Sequence, residues 1–168
     1  MLVDYLLEER VRTTTDPDRQ ASLKSLQGKI AIANARLAYQ EFKRRFEGSR
    51  FAALRQRGAR VQRPLWASTG TKNPAYRDVL YVEALIGPDT VNTMPLTTLE
   101  RFREHGQARH AIEDDLQAAQ TNLSALASVG IDYDQVTRQL QEEGIQKFLD
   151  SFQTLFACID KKRQQIQV

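Results

Sequence analysis

A mostly helical α/β chain with about two parallel strands is predicted by three features of the sequence. Several segments repeat apolar residues at helix spacing. Two short apolar runs, at residues 61–68 and 89–94, are too short and irregular for helices and end in turn residues. Each run is followed by an amphipathic segment, and the order strand–helix–strand–helix is that of parallel strands with crossover helices. The 168 residues suit one domain or part of a larger one, and 41% apolar residues allow a packed core.

The elements follow in order. Residues 2–12 read as a helix, with Val3, Leu6, Leu7 and Val11 on one face. "TTTDPDRQ" reads as a polar loop around Pro17. From Lys29 to Phe46 the pattern is helical again: Ile32, Ala35, Tyr39, Phe42 and Phe46 step at helix spacing, and Gly48 ends the run. "SRFAALRQRG" predicts a shorter helix with Ser49 as N-cap and Gly58 as stop. "VQRPLWAS" is the first strand, with Pro64 near its start and Trp66 helping to fill the core. After the turn "TGTKNP", "YRDVLYVEALIG" predicts an amphipathic helix ended by Gly87. "PDTVNTMP" is the second strand, and "LTTLERFREHG" a helix ended by Gly106.

The rest is predicted helical. Ile112, Leu116, Ala119, Leu123, Leu126 and Ala127 share a face. Asp132 caps the next helix, with Val136, Leu140 and Ile145 as core positions and Gly144 as a break or bend. A last helix to about Gln164 would place Phe148, Phe152, Leu155, Phe156 and Ile159 inward. Two parallel strands cannot form a self-sufficient sheet buried on both faces. Either the helices form an unrelated bundle, or the strands belong to a larger barrel.

Composition excludes several classes. No apolar run approaches the roughly 20 residues of a spanning helix. "MLVDYLLEER" lacks the layout of a signal peptide, so the cytoplasm is the expected compartment. The net charge is +3, and the basic clusters Lys43-Arg44-Arg45 and Lys161-Lys162-Arg163 read as solvated helix faces rather than a nucleic-acid patch. Cys158 is the only cysteine, which leaves no internal disulfide and no zinc set; "TLFACID" predicts a buried, inert thiol. His105 and His110 lack metal-ligand spacing and read as surface residues.

The stretch "RPLWASTGTKNPAY" carries the one candidate site. A parallel strand that ends in small polar residues before a helix can hold an anion, because backbone N–H groups and the helix dipole favour phosphate. Ser68, Thr69, Thr71 and Lys72 fit that chemistry, Lys72 as a point charge. The competing reading is an ordinary turn whose hydroxyls satisfy nearby backbone.

"GKIAIANARLAYQEF", "RPLWASTGTKNPAYRDVLYVEALIGPDTVNTMP", "LTTLERFREHG" and "GIDYDQVTRQLQEEGIQKFLDSF" together resemble bacterial transaldolases of the longer subtype, which also occur fused to glucose-6-phosphate isomerase. The resemblance implies the C-terminal portion of a (β/α)8 TIM barrel, with "RPLWAS" as strand seven and "DTVNTM" as strand eight. Residues 1–110 would be barrel segments and 111–168 C-terminal helices. It implies a Schiff-base transferase of the pentose phosphate pathway, moving a dihydroxyacetone unit between sugar phosphates with no metal or organic cofactor. The family's Schiff-base lysine, its acid/base carboxylates and one phosphate-binding arginine lie on strands that would precede Met1. Only the strand-seven end remains: Lys72 resembles the basic residue that meets the substrate phosphate, with Ser68 beside it. Lys24, Lys29 and Lys147 lack the setting of a Schiff-base lysine. The expectation is a transaldolase-like chain inactive alone. Two alternatives stand beside it: the C-terminal subunit of a split enzyme completed by an N-terminal barrel polypeptide, or a non-enzymatic helical module that binds a protein or itself.

Overall fold

The computed structural model describes residues 2–166. The chain divides into two compact units, Met1–Val129 and Gly130–Val168. The first holds α1 (Leu2–Thr13), α2 (Pro17–Leu26), α3 (Ile30–Phe46), α4 (Ser49–Gln56), β1 (Leu65–Trp66), α5 (Leu80–Ala84), β2 (Val91–Asn92), α6 (Leu96–His105) and α7 (Leu116–Ser128). The second holds α8 (Tyr133–Ile166).

The two strands are parallel, with Leu65 opposite Val91 and Trp66 opposite Asn92. Val91 N–H donates to the Pro64 carbonyl at 2.9 Å and Thr93 N–H to that of Trp66 at 2.9 Å. The strands are shorter than the runs at 61–68 and 89–94 suggest. Each has one neighbour among the described residues, so regular pairing exists only where the two face each other. Ser68, at φ 56, turns the chain out of the first strand, and Pro95 closes the second.

The core of the first unit lies around α3. This helix packs most extensively on α7, while α1 packs on α2. Leu7, Leu23, Ile112, Leu126 and Val79 are fully buried, and each such leucine contributes about 2 kcal/mol of transfer free energy. Ala35, Tyr39, Leu85 and Ile112 form a buried cluster, and Trp66 packs against it with Ile32 and Phe42. A run of ring contacts, Tyr39–Phe42 at 5.7 Å, Phe42–Phe46 at 5.2 Å and Phe46–Phe51 at 4.8 Å, carries the packing from α3 into α4.

Several local expectations are corrected. The loop around Pro17 is the start of α2: Asp16 Oδ1 accepts from the N–H groups of Asp18 and Arg19, and Pro17 occupies the first turn, where no N–H is needed. Ser49 is the first helical residue of α4, after Gly48 at the cap, and makes no capping hydrogen bond. The helix before Gly87 is only Leu80–Ala84. Asp115, in the left-handed region at φ 44, caps α7 by accepting from Ala118 N–H, so Ile112 is buried from the preceding turn rather than from the helix.

The larger correction concerns the second unit. Asp132 does cap α8, accepting from Asp134 and Gln135 N–H at 2.9 and 3.2 Å. The helix then runs unbroken for 34 residues through Gly144, a length of roughly 50 Å. A single glycine costs a helix about 1 kcal/mol and does not end it. Val136 is buried, but Leu140 and Ile145 are exposed. The residues expected inward are also exposed: Phe148 by 72%, Phe152 by 53%, Leu155 by 51%, Phe156 by 60% and Ile159 by 50%. Cys158, expected to be buried, is exposed with them. The helical period was read correctly; what the residues face was not.

Candidate functional site

The end of β1 and the turn after it open onto a pocket of ≈ 290 Å³ in the first unit. Leu65, Trp66, Ser68, Thr69, Gly70 and Lys72 contribute from the first strand and its turn. Ala35 of α3, with Tyr81 and Leu85 from α5 and its end, forms the apolar wall. Ser68 and Lys72, singled out in the sequence, are exposed and line this one pocket. Lys72 also borders a second pocket of ≈ 380 Å³, with Asp4, Glu8, Tyr76 and Tyr81.

The turn is held by the end of β2. Thr69 is 5% exposed. Its hydroxyl donates to Asn92 Oδ1 at 2.7 Å, and its N–H donates to the Thr93 carbonyl at 3.2 Å. Ser68 N–H donates to Thr93 Oγ1 at 3.3 Å. A Cβ on Gly70 would lie 2.8 Å from Thr98 Oγ1, so the backbone approaches the start of α6 as closely as only glycine permits. The polar residues therefore divide between two roles. Thr69 satisfies its neighbours, as in the ordinary-turn reading, while the Ser68 and Lys72 side chains remain available at the pocket.

Asn92 and Thr93 were missed in the sequence. The signal was present only through pairing: in parallel strands, residues just past each run lie side by side. Trp66 adds an indole N–H shielded from solvent that meets no acceptor among the described residues. Behind the turn, Asn73 donates to Glu8 Oε1 at 2.9 Å, and Asp4 Oδ1 accepts from Gly28 N–H at 2.9 Å. Burial, with the Asp4 carboxylate nearby, pushes the Tyr76 hydroxyl up to about 12.

The remaining candidates stay outside the site. Lys24, Lys29 and Lys147 are exposed. His105 pairs with Asp78 at 2.9 Å and holds that carboxyl below its ordinary value; His110 lies 3.0 Å from Glu113. No group of three or more His, Cys, Asp or Glu among the described residues could hold a metal ion. No helix among them is long and apolar enough to cross a membrane.

Two parallel strands joined through α5, with a pocket beyond the end of the first, have the arrangement of a portion of a βα barrel. The family model for Transaldolase/Fructose-6-phosphate aldolase matches residues 9–159, and the chain belongs to that family. It is 42% identical over 162 residues to a transaldolase of Trichodesmium erythraeum, covering 95% of this chain and 43% of that protein. It is 46% identical to a transaldolase of Thiobacillus denitrificans, covering 94% and 45% respectively. A transaldolase of Mycolicibacterium smegmatis is 50% identical over 132 residues, 78% of this chain and 36% of that protein. The chain thus spans about two fifths of the length of the curated relatives it matches.

Proposed function

We propose that the chain supplies strands seven and eight and the C-terminal helices of a transaldolase barrel, and with them the substrate-phosphate turn. Residues 1–110 are then barrel segments and 111–168 the helices that follow them. The observation that carries this reading is the pocket at the end of the first strand, where Ser68 and Lys72 stand together on a turn held by Asn92 and Thr93. The Ser68 hydroxyl and the Lys72 ammonium on a glycine-containing turn suit a phosphate monoester. The substrates would be sugar phosphates and the compartment the cytoplasm.

Covalent chemistry is a different requirement. A Schiff-base nucleophile needs a lysine desolvated or set beside other cations. Lys24, Lys29, Lys72, Lys147, Lys161 and Lys162 are exposed, and half-buried Lys43 pairs with Glu113 at 2.6 Å, which raises rather than lowers its pKa. The chain alone therefore binds but does not transfer. Purified chain incubated with fructose 6-phosphate and borohydride should show no lysine adduct by mass spectrometry; a trapped adduct would overturn this reading. In parallel, inorganic phosphate should shift the amide resonances of the Ser68–Lys72 turn, and Lys72→Ala should weaken that response about tenfold or more. A turn indifferent to phosphate would remove the binding role.

A further inference from the structure

Three arginines gather in the first unit outside the Ser68–Lys72 turn. Arg36 of α3, Arg77 before α5 and Arg109 beyond α6 line one pocket of ≈ 250 Å³, with Glu83 and Gln107. This pocket shares no lining residue with the one at the turn. The two lie on different sides of the same helix: Ala35 lines the turn pocket, and Arg36, about 100° further round α3, lines this one.

The charges in the lining do not cancel. Glu83 is its one carboxylate, and both oxygens are occupied. Arg77 donates to Oε2 at 2.9 Å and to Oε1 at 3.2 Å, and Gln107 N–H donates to Oε1 at 3.0 Å. Arg77 and Glu83 therefore neutralise each other. Arg109 is paired from outside the lining, donating through Nη1 to Asp114 at 2.6 Å. A guanidinium has five N–H donors, so others stay free for a ligand. Arg36 pairs with no carboxylate among the described residues. Its Nη2 donates to the Ala111 carbonyl at 3.1 Å, while its Nε is shielded from solvent and meets no acceptor among those residues. Folded proteins seldom leave a buried donor unmet. Even with Asp114 set against Arg109, the charge of Arg36 is uncancelled.

These donors come from three separate segments of the chain. A carboxylate accepts within one plane, and Glu83 already fills that part. A tetrahedral anion accepts from several sides, and planar guanidinium forks hold it better than a point charge does. We propose that this pocket binds a phosphate group, free or as a small monoester, with Arg36 Nε–H, Arg77 and Arg109 as its donors. The site is separate from the substrate-phosphate turn and does not rest on the barrel reading.

The test follows the Arg36 Nε–H resonance of the isotope-labelled full chain by NMR. The chain is titrated with inorganic phosphate and, as control, with sodium chloride at equal ionic strength. Arg36 Nε–H and the Gln107 amide should shift together on one saturable curve. Arg109→Gln removes a donor at an exposed position and should weaken that curve about tenfold, with the circular dichroism spectrum unchanged. Lys72→Ala should leave the curve in place. A tighter response to glycerol 3-phosphate would identify the source as a monoester, and an equal or weaker one as free phosphate. An Arg36 resonance that phosphate does not move overturns the inference. So does a response that chloride matches, one that Arg109→Gln leaves untouched, or one that Lys72→Ala abolishes. The turn amides, read in the same spectra, report on the turn separately.

Discussion

Gly28 shows how one residue joins three elements. It sits at φ 72 between α2 and α3, donates its N–H to Asp4 of α1, and faces the Tyr76 ring, whose carbon a Cβ would approach to 3.3 Å. Gly28→Ala is expected to cost about 1–3 kcal/mol, combining left-handed strain with the ring contact, and to lower the Tm by calorimetry. Tyr76 itself is expected to show in alkaline titration. Its hydroxyl ordinarily ionises near 10.0 and is pushed up to about 12 by burial and Asp4. Folding opposes this ionisation, so its contribution is complete below pH 10 and is lost as pH rises through 12. Tyr76→Phe should lack that loss. Urea midpoints of the two proteins should run together at neutral pH and separate through that window, the wild type falling while the variant holds.

Among the elements, the strand pair depends on side chains beyond its two backbone rungs. Thr69→Val keeps the shape but leaves Asn92 Oδ1 without its donor, and should cost about 1–2 kcal/mol. Thr69→Ser restores the hydroxyl and should recover most of it. Urea unfolding checks the pair: equal losses would show that the hydrogen bond is not the cause. Legibility also differed by element. α1, α3, α6 and α7 were readable because their apolar residues recur at helix spacing over two turns or more. α2 was not: only Leu23 and Leu26 of its ten residues are buried, too few to mark a stripe. Its start was written in Asp16-Pro17, a capping signature that reads as a turn when the following segment is polar. Ser68 and Lys72 were legible as residue types after a strand, whereas the Thr69–Asn92 tie requires the register of two segments more than twenty residues apart.

At the level of the whole molecule, periodicity identified which face of α8 is apolar but not what it meets. A stripe that fits a core and a stripe that fits another polypeptide are the same pattern. The consequence is an uneven distribution of stability. α3 and α7 are locked together by buried side chains, while nearly all of α8 after Val136 is exposed. Most of a helix's stability in a protein comes from packing of its apolar face rather than from the helix itself. Amide hydrogen exchange should therefore be slow in α3 and α7 and fast from about Leu140 onward, approaching the rate of an unprotected helix. Strong protection throughout α8 in the monomeric chain would show a partner surface within the chain itself.

The exposed thiol of Cys158 turns this arrangement to practical use. It lies about 120° around α8 from Phe152, outside the apolar arc, and no second cysteine competes for reagent. A maleimide fluorophore would attach at one defined point without blocking the face beside it. Its tumbling would then report, in real time and at nanomolar concentration, whether that helix is loose or held.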